Sequence, residues 1–148
     1  QLSDVLTEVK RIMAQKLKQE GFTLEIQASD IPLISYDKEV LIQIMVNLIE
    51  NSIKFGRKST TKKILIKVDT QEHHVRIAVS DSGPGIPRQA LKKIFDDFYR
   101  VDNDLTRLTG GTGIGLALVK KFITAMGGSV YAVNNAGPGC TITLLLHS

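Results

Sequence analysis

Asn47, Asn51 and Lys54 interrupt an otherwise apolar run in the segment NLIENSIKFG, residues 47–56. At about 100° per residue along a helix, these three side chains fall within roughly 60° of one another. A carboxamide oxygen can ligate a hard cation such as Mg²⁺, and a lysine ammonium can neutralise phosphate oxygens. The stripe could serve a metal-bound phosphate or could be a solvated helix edge, and the spacing alone leaves both interpretations open.

Two glycine-containing segments could complete such a site. VSDSGPGIP, residues 79–87, places Asp81 at a strand end, where its carboxylate can accept a hydrogen bond from an exocyclic amine. TGGTGIGLALVKK, residues 109–121, leads glycines into a helix whose unpaired amides can hold an anion. It has neither the GxxxxGK[ST] order of a Walker loop nor the preceding strand of a dinucleotide fingerprint. Taken singly, both segments could also be ordinary turns.

The elements that must position these residues follow from apolar periodicity and from turn residues. Apolar residues recur at helical spacing from Leu2 to Leu17, and Asp37 caps a second helix that ends near Gly56. The remaining predictions are a strand at 22–27 with a possible partner at 32–37, a hairpin of 62–70 and 74–81, helices at 88–101 and 113–128, and a hairpin of 129–135 and 140–147.

Helices and antiparallel strands are thus mixed without a regular strand-helix-strand repeat. This arrangement favours an α+β fold, a two-layer α/β sandwich with a mixed, mainly antiparallel sheet covered on one face by helices. The length of 148 residues, with 43% hydrophobic and 23% charged residues, fits a single domain spanning residues 1–148 and excludes a largely disordered chain.

The bulk composition limits partners and location. The net charge of +4 is mild and its cations are scattered, so no nucleic-acid partner is expected. A single cysteine, Cys140, excludes an internal disulfide and fits a reducing compartment. No apolar run approaches the roughly 18 residues of a membrane span, and we expect a cytoplasmic location. Because the chain begins at Gln1, we expect it to be part of a longer protein that could carry a membrane anchor.

Four motifs taken in order carry a family resemblance. NLIENSIKF, DSGPGIP, IFDDFYRV and GGTGIGLALVK resemble the N box, first glycine box, F box and second glycine box of the catalytic, ATP-binding domain of sensor histidine kinases. The ending GPGCTITLLL resembles the last strand pair of that family. The resemblance implies the Bergerat ATP-binding fold, with ATP and Mg²⁺ as cofactors.

The resemblance also implies roles for individual residues. Asn51 corresponds to the Mg²⁺-coordinating asparagine, Asn47 to the preceding N-box position and Lys54 to a phosphate-contacting lysine, and these three are the predicted catalytic residues. Asp81 corresponds to the aspartate that reads the adenine amino group. The further residues predicted to form the ATP site are Phe55, where the family more often has Tyr, Gly83, Gly85, Ile86, Phe98, Arg100, Gly111, Thr112, Gly113, Ile114, Gly115, Leu116 and Thr141.

The implied reaction is transfer of the ATP γ-phosphate to a histidine on a separate helical dimerisation domain, for relay to a response regulator. His73, His74 and His147 lack the sequence context of a phosphoacceptor, so that helical domain is predicted to be absent from this segment. The isolated domain is then expected to be monomeric. The loop 102–110 resembles the lid over the nucleotide and is predicted to be disordered without it.

Three other functions remain open. A hydrolysing ATPase clamp of the topoisomerase or chaperone type would carry a water-activating glutamate where Asn47 stands, and an amide cannot take up that proton. A serine kinase of the anti-sigma-factor type would share the fold but usually lacks a clear F box. A degenerate domain could bind nucleotide or a partner protein and regulate without catalysis.

Overall fold

A computed structural model of the chain describes residues 2–28, 36–96 and 114–147. Three α-helices occur in this part, α1 (Leu2–Glu20), α2 (Lys38–Gly56) and α3 (Ile114–Ala125), together with a short 3₁₀-helix, Arg88–Ala90. The five strands are β1 (Thr23–Ala28), β2 (Lys63–Gln71), β3 (His74–Asp81), β4 (Ser129–Asn134) and β5 (Cys140–His147). Both predicted hairpins are therefore confirmed.

The strands form one sheet in the order β1-β2-β3-β5-β4. The pair β1 and β2 is parallel, and the other three neighbouring pairs are antiparallel. Within the described residues β1 lies at the sheet edge and pairs with β2, and the pairing of β1 with the segment 32–37 stays a prediction. Residues 32–35 of that segment lie outside the described residues, while Tyr36 and Asp37 are not in a strand.

The helices cover one face of the sheet. In β3 every second residue is buried, namely Val75, Ile77, Val79 and Asp81, as period-two alternation requires when only one face is packed. Helix α2 lies at the centre of the helical layer and contacts α1, α3 and β3. The predicted two-layer α+β sandwich is confirmed.

Local chemistry explains where α2 begins and how its end is held. The Asp37 carboxylate accepts hydrogen bonds from the main-chain N–H groups of Glu39 and Val40, at 3.0 and 3.2 Å, as an N-cap does. Just beyond its end, the Arg57 guanidinium forms a two-point ion pair with Glu20 at the end of α1. The two helices are therefore tied together at the end from which Lys54 and Phe55 project.

The predicted helix at 88–101 is described only as far as residue 96, and this described part is not an α-helix. Arg88–Ala90 forms a single 3₁₀ turn, and turns continue to Phe95. No side chain caps this segment, and so short a helix has little stability of its own. Its apolar side chains Ala90, Ile94 and Phe95 are nevertheless buried in the core. Among the helices of the described segments, none combines the length and the apolarity needed to cross a membrane.

Candidate nucleotide site

The polar stripe of α2 lies beside fully buried side chains of the core. Asn47, Asn51 and Lys54 are each half-buried, whereas the α2 side chains Ile44, Met45, Leu48, Ile49 and Ile53 are fully buried. The apolar side chains hold the helix against the sheet and against its neighbours. The stripe therefore has a fixed position at the edge of the helical layer.

Asn47 carries an unmatched hydrogen-bond donor. Its Oδ1 accepts a bond of 3.3 Å from Gln43 Nε2, but its buried Nδ2 has no partner within the described residues. Leaving a buried donor unpaired costs about 1–3 kcal/mol. A ligand oxygen, such as that of a phosphate, is the kind of group that would satisfy it.

Asp81 ends β3 on the face covered by the helices. Its Oδ1 accepts hydrogen bonds from the main-chain N–H groups of Gly83, at 2.9 Å, and Cys140, at 3.3 Å. No described residue donates to its Oδ2. Burial raises the pKa of the carboxyl group, and the two amide hydrogen bonds act in the opposite direction. One oxygen is thus fixed by the protein and the other remains an acceptor for a ligand amine.

The turn after Asp81 brings this carboxylate to the end of α2. A β carbon on Gly83 would lie 2.8 Å from the carbonyl oxygen of Phe55, so only glycine allows this approach. Gly85 has a φ of +84°, which also favours glycine, and Ile86 beyond it is buried. A hollow of about 610 Å³ lies beside this junction and is lined by residues that include Phe55, Gly83 and Pro138. The turn after Asp81 therefore packs against the C-terminal end of α2.

The structure does not bring Thr141 together with the other predicted site residues. In β5 the side chains of Cys140, Ile142 and Leu144 face the helices, so the intervening Thr141 faces the other side of the sheet. The Thr141 hydroxyl lies 2.6 Å from the hydroxyl of Ser80, its strand partner, on that open face. A shift of one residue moves a strand side chain to the opposite face, so Cys140, and not Thr141, shares the sheet face of Asp81.

Cys140 is the residue that sequence reasoning missed at this position. It is buried beside Asp81, and burial together with the Asp81 charge raises the pKa of its thiol to about 12. The alternation of apolar residues at 140, 142, 144 and 146 was the signal that could have identified it. Asn134 and Asn135, at the end of β4, were also missed and contact the Asp81 turn.

Helix α3 and the glycine-rich segment before it would form the phosphate side of the site, and the structure describes only part of them. Helix α3 packs against α2, and the unpaired N–H groups of its first turn are suited to an anion. Leu116 is buried, and Gly115 is exposed with open space around its α carbon. The structure does not describe the Ile114 side chain or residues 97–113, which include Phe98, Arg100, Gly111, Thr112, Gly113 and the predicted lid at 102–110.

Fold and site together define an ATP-binding domain of the two-layer type. The chain belongs to the family of histidine kinase-, DNA gyrase B- and HSP90-like ATPases, whose family model matches residues 36–148. Over 113 residues, 76% of this chain, it is 39% identical to the sensor histidine kinase WalK of Bacillus subtilis. It spans 18% of the length of that relative.

Two solved structures show the same fold. Full-length ShkA in complex with AMPPNP superposes with a TM-score of 0.82 and 28% identity, covering 99% of this chain and 30% of that one. The histidine kinase ThkA, solved in complex with the response regulator protein TrrA, gives a TM-score of 0.79 at 23% identity, covering 99% of this chain and 40% of that one. The resemblance to the ATP-binding domain of histidine kinases is confirmed.

Proposed function

We propose that this domain binds Mg²⁺–ATP and transfers the γ-phosphate to a histidine on a separate helical dimerisation domain, for relay to a response regulator. The observation that carries the proposal is the Asp81 carboxylate, which is fixed through Oδ1 and open at Oδ2. An acceptor in this position suits the exocyclic amine of adenine and disfavours the carbonyl oxygen of guanine. The ShkA complex with the ATP analogue AMPPNP supports ATP as the ligand.

The stripe on α2 would hold the phosphate end of the nucleotide. Asn47 Nδ2 would donate to a phosphate oxygen, which removes the cost of its unpaired state. Lys54 would add positive charge beside the phosphates. The Asn51 carboxamide oxygen is a suitable Mg²⁺ ligand, and the bound ion would neutralise charge on the phosphate oxygens. Within the described part of the chain no group of three or more His, Cys, Asp or Glu side chains could hold a metal, so the nucleotide would supply the remaining ligands.

The phosphoacceptor is expected on another domain because the histidines here are badly placed. His74 begins β3 and Asp81 ends it, a separation of about 23 Å along an extended strand. His147 pairs with His74 across the sheet, and their ring centroids are 4.7 Å apart. His73 precedes His74 in the same turn. All three histidines thus lie at the end of the sheet remote from the candidate adenine acceptor.

The remaining parts of the proposal concern the longer protein. We infer a response-regulator partner, because ThkA was solved in complex with the response regulator protein TrrA. We place the domain in the cytoplasm, since its one cysteine is a buried free thiol and phosphoryl transfer from ATP needs the cytoplasmic nucleotide. The isolated domain is proposed to be a monomer, with dimerisation supplied by the helical phosphoacceptor domain. Light scattering during size-exclusion chromatography tests that point.

Calorimetric titration with AMPPNP, with and without Mg²⁺, tests the nucleotide site. Asp81→Asn places an amide where the adenine amine needs an acceptor, and we expect a loss of affinity of at least about 50-fold. Asn51→Ala should remove the gain in affinity that Mg²⁺ gives to the wild type. Asp69→Asn is the matched control, because Asp69 pairs with Arg76 away from the site.

Phosphoryl transfer is tested separately by mixing the domain with radiolabelled ATP and the helical domain of the parent protein. We expect label on the histidine of that helical domain and none on this domain alone. Mg²⁺-dependent binding without transfer would instead support a degenerate regulatory domain. Absence of binding by the wild-type protein would refute the nucleotide site itself.

A further inference from the structure

Asn134, the last residue of β4, holds the far end of the turn that follows Asp81. Its Oδ1 accepts a hydrogen bond of 2.9 Å from the main-chain N–H of Ile86, and its Nδ2 donates one of 2.7 Å to the carbonyl oxygen of the same residue. Both bonds are short enough to be well formed. A carboxamide can make this pair because it carries a donor and an acceptor side by side.

Asn135 holds the near end of the same turn. Its Nδ2 donates to the carbonyl oxygens of Asp81 and Pro138, both at 3.1 Å, and its Oδ1 accepts from the Thr141 hydroxyl. Because Thr141 gives its single proton to Asn135, the neighbouring Ser80 hydroxyl must donate to Thr141. The orientation of the Asn135 amide is therefore set by two acceptors on one side and one donor on the other.

These contacts clamp the segment Asp81–Ile86, termed the base loop here, at its first and last residues. We infer that Asn134 and Asn135 are positioning residues for base recognition, an inference that rests on the proposed function. Neither acts on the nucleotide directly. They hold the base loop in the shape in which the Gly83 N–H meets Asp81 Oδ1, and this contact keeps Oδ2 directed at the ligand. The base loop is then already ordered in the free protein, so nucleotide binding does not include the entropy cost of ordering it.

The clamp separates base recognition from phosphate binding. The base loop is fixed by the β4–β5 hairpin, whereas the proposed phosphate contacts come from α2. Loosening the clamp should therefore lower the affinity for AMPPNP while leaving the weaker affinity for GMPPNP nearly unchanged. The ratio of the two affinities should fall about tenfold, the effect of one well-placed hydrogen bond. The gain that Mg²⁺ gives to AMPPNP affinity should persist.

The experiment compares Asn134→Ala, Asn135→Ala and Val133→Ala by calorimetry with AMPPNP and GMPPNP. Val133 is the matched control, because it is the adjacent β4 residue and its side chain is 47% exposed. Hydrogen-exchange mass spectrometry of residues 81–86 in the same variants reports on the loop. We expect faster exchange and a lower affinity ratio for both asparagine variants, with wild-type values for Val133→Ala.

Some outcomes would overturn the inference. A wild-type affinity ratio in both folded asparagine variants would refute it, and so would an equal loss of affinity for the two nucleotides, which indicates a purely structural role. If Asn135→Ala does not fold, Thr141→Val removes only the hydroxyl that orients Asn135, and an unchanged ratio there refutes the role of Asn135. Wild-type protein that binds neither nucleotide refutes the proposed function as well, so the two failures are distinguishable.

Discussion

Gly139 lies against the main chain of Asp81 so closely that a β carbon on Gly139 would be 1.9 Å from the Asp81 carbonyl oxygen. The backbone of Gly139 also has a φ of +98°, which side-chain-bearing residues rarely adopt. The residue before β5 and the last residue of β3 therefore contact each other through main-chain atoms. Asp81, the proposed adenine acceptor, and the closing hairpin therefore form one compact unit.

Gly139→Ala should be strongly destabilising. The substitution combines a steric clash with unfavourable backbone torsion, and we expect a loss of about 3 kcal/mol or more in the free energy of unfolding. Urea denaturation followed by circular dichroism measures it. Gly137→Ala in the same turn is the control, because no atom lies within 4 Å of its added β carbon. Equal stability of the two variants would contradict the close contact.

Asp81→Asn should raise stability near neutral pH while it removes nucleotide binding. Burial raises the folded-state pKa of Asp81, so the cost of its charge is fully present above that raised value and is lost below the ordinary value of 3.8. The amide carries no such cost. The stability advantage of the variant should therefore shrink as the pH falls toward 3.8, which denaturation at several pH values would show. A stability advantage of Asp81→Asn that grows on acidification would contradict a raised pKa of Asp81 in the folded state.

Cys140 should react very slowly with iodoacetamide in the folded protein. Its thiol pKa is raised to about 12 by burial and by the Asp81 charge, so about one molecule in ten thousand carries a thiolate at pH 8. Mass spectrometry gives the rate without ambiguity, because Cys140 is the single cysteine. Protein unfolded in urea is the reference and should react rapidly. Comparable rates in the two states would place the thiol at the surface.

Ile44→Ala should cost about 2–5 kcal/mol in the free energy of unfolding, since the side chain is fully buried in α2 and its removal leaves a cavity. Ile12→Ala is the matched control. Ile12 lies on α1 with 42% of its surface exposed, and its truncation should change stability by no more than about 0.5 kcal/mol. Thermal or urea unfolding of the two variants compares them directly. A larger effect at Ile12 would mean that this face of α1 is covered.

Asn47→Leu should stabilise the nucleotide-free domain by about 1 kcal/mol, because it removes a buried donor without a partner in the described structure. The same change should weaken AMPPNP binding, since the proposed donor to phosphate is lost. Gln43→Leu serves as the control, because Gln43 is exposed and its change leaves Asn47 Nδ2 unpaired. Unfolding and calorimetric titration of both variants test the two effects. A less stable Asn47→Leu protein with unchanged affinity would contradict both.

Local patterns predicted the elements more successfully than their pairing. The Asp37 cap and the apolar spacing after it predicted α2, and alternation on each side of a polar turn predicted both hairpins. The parallel pairing of Thr23 with Lys63 could not be predicted in this way, because it joins residues 40 positions apart and depends on the packing of α1 and α2.

Residues of the candidate site could be predicted where their type and motif indicate a chemical role. Asp81 accepts a hydrogen bond from the Gly83 N–H, and Gly83 lies against the Phe55 carbonyl at the end of α2, which agrees with the neighbours that the family resemblance implied. The resemblance did not indicate the face of Thr141, whereas the buried residues Cys140, Ile142 and Leu144 show that Thr141 lies on the open face of the sheet. Asn134 and Asn135 escaped notice since two asparagines before a glycine-rich turn are also what an ordinary turn contains.

Helix α2 contributes both to the core and to the candidate nucleotide site. This limits which substitutions in α2 could give resistance to an inhibitor that competes with the nucleotide. Fully buried side chains on this helix form the centre of the core, while Asn47 and Asn51 project from the same turns. Any substitution that shifts the helix enough to exclude an inhibitor would also disturb the core. Resistance should therefore arise in the base loop or in the β4–β5 hairpin, and an inhibitor anchored on α2 would leave few viable routes to it.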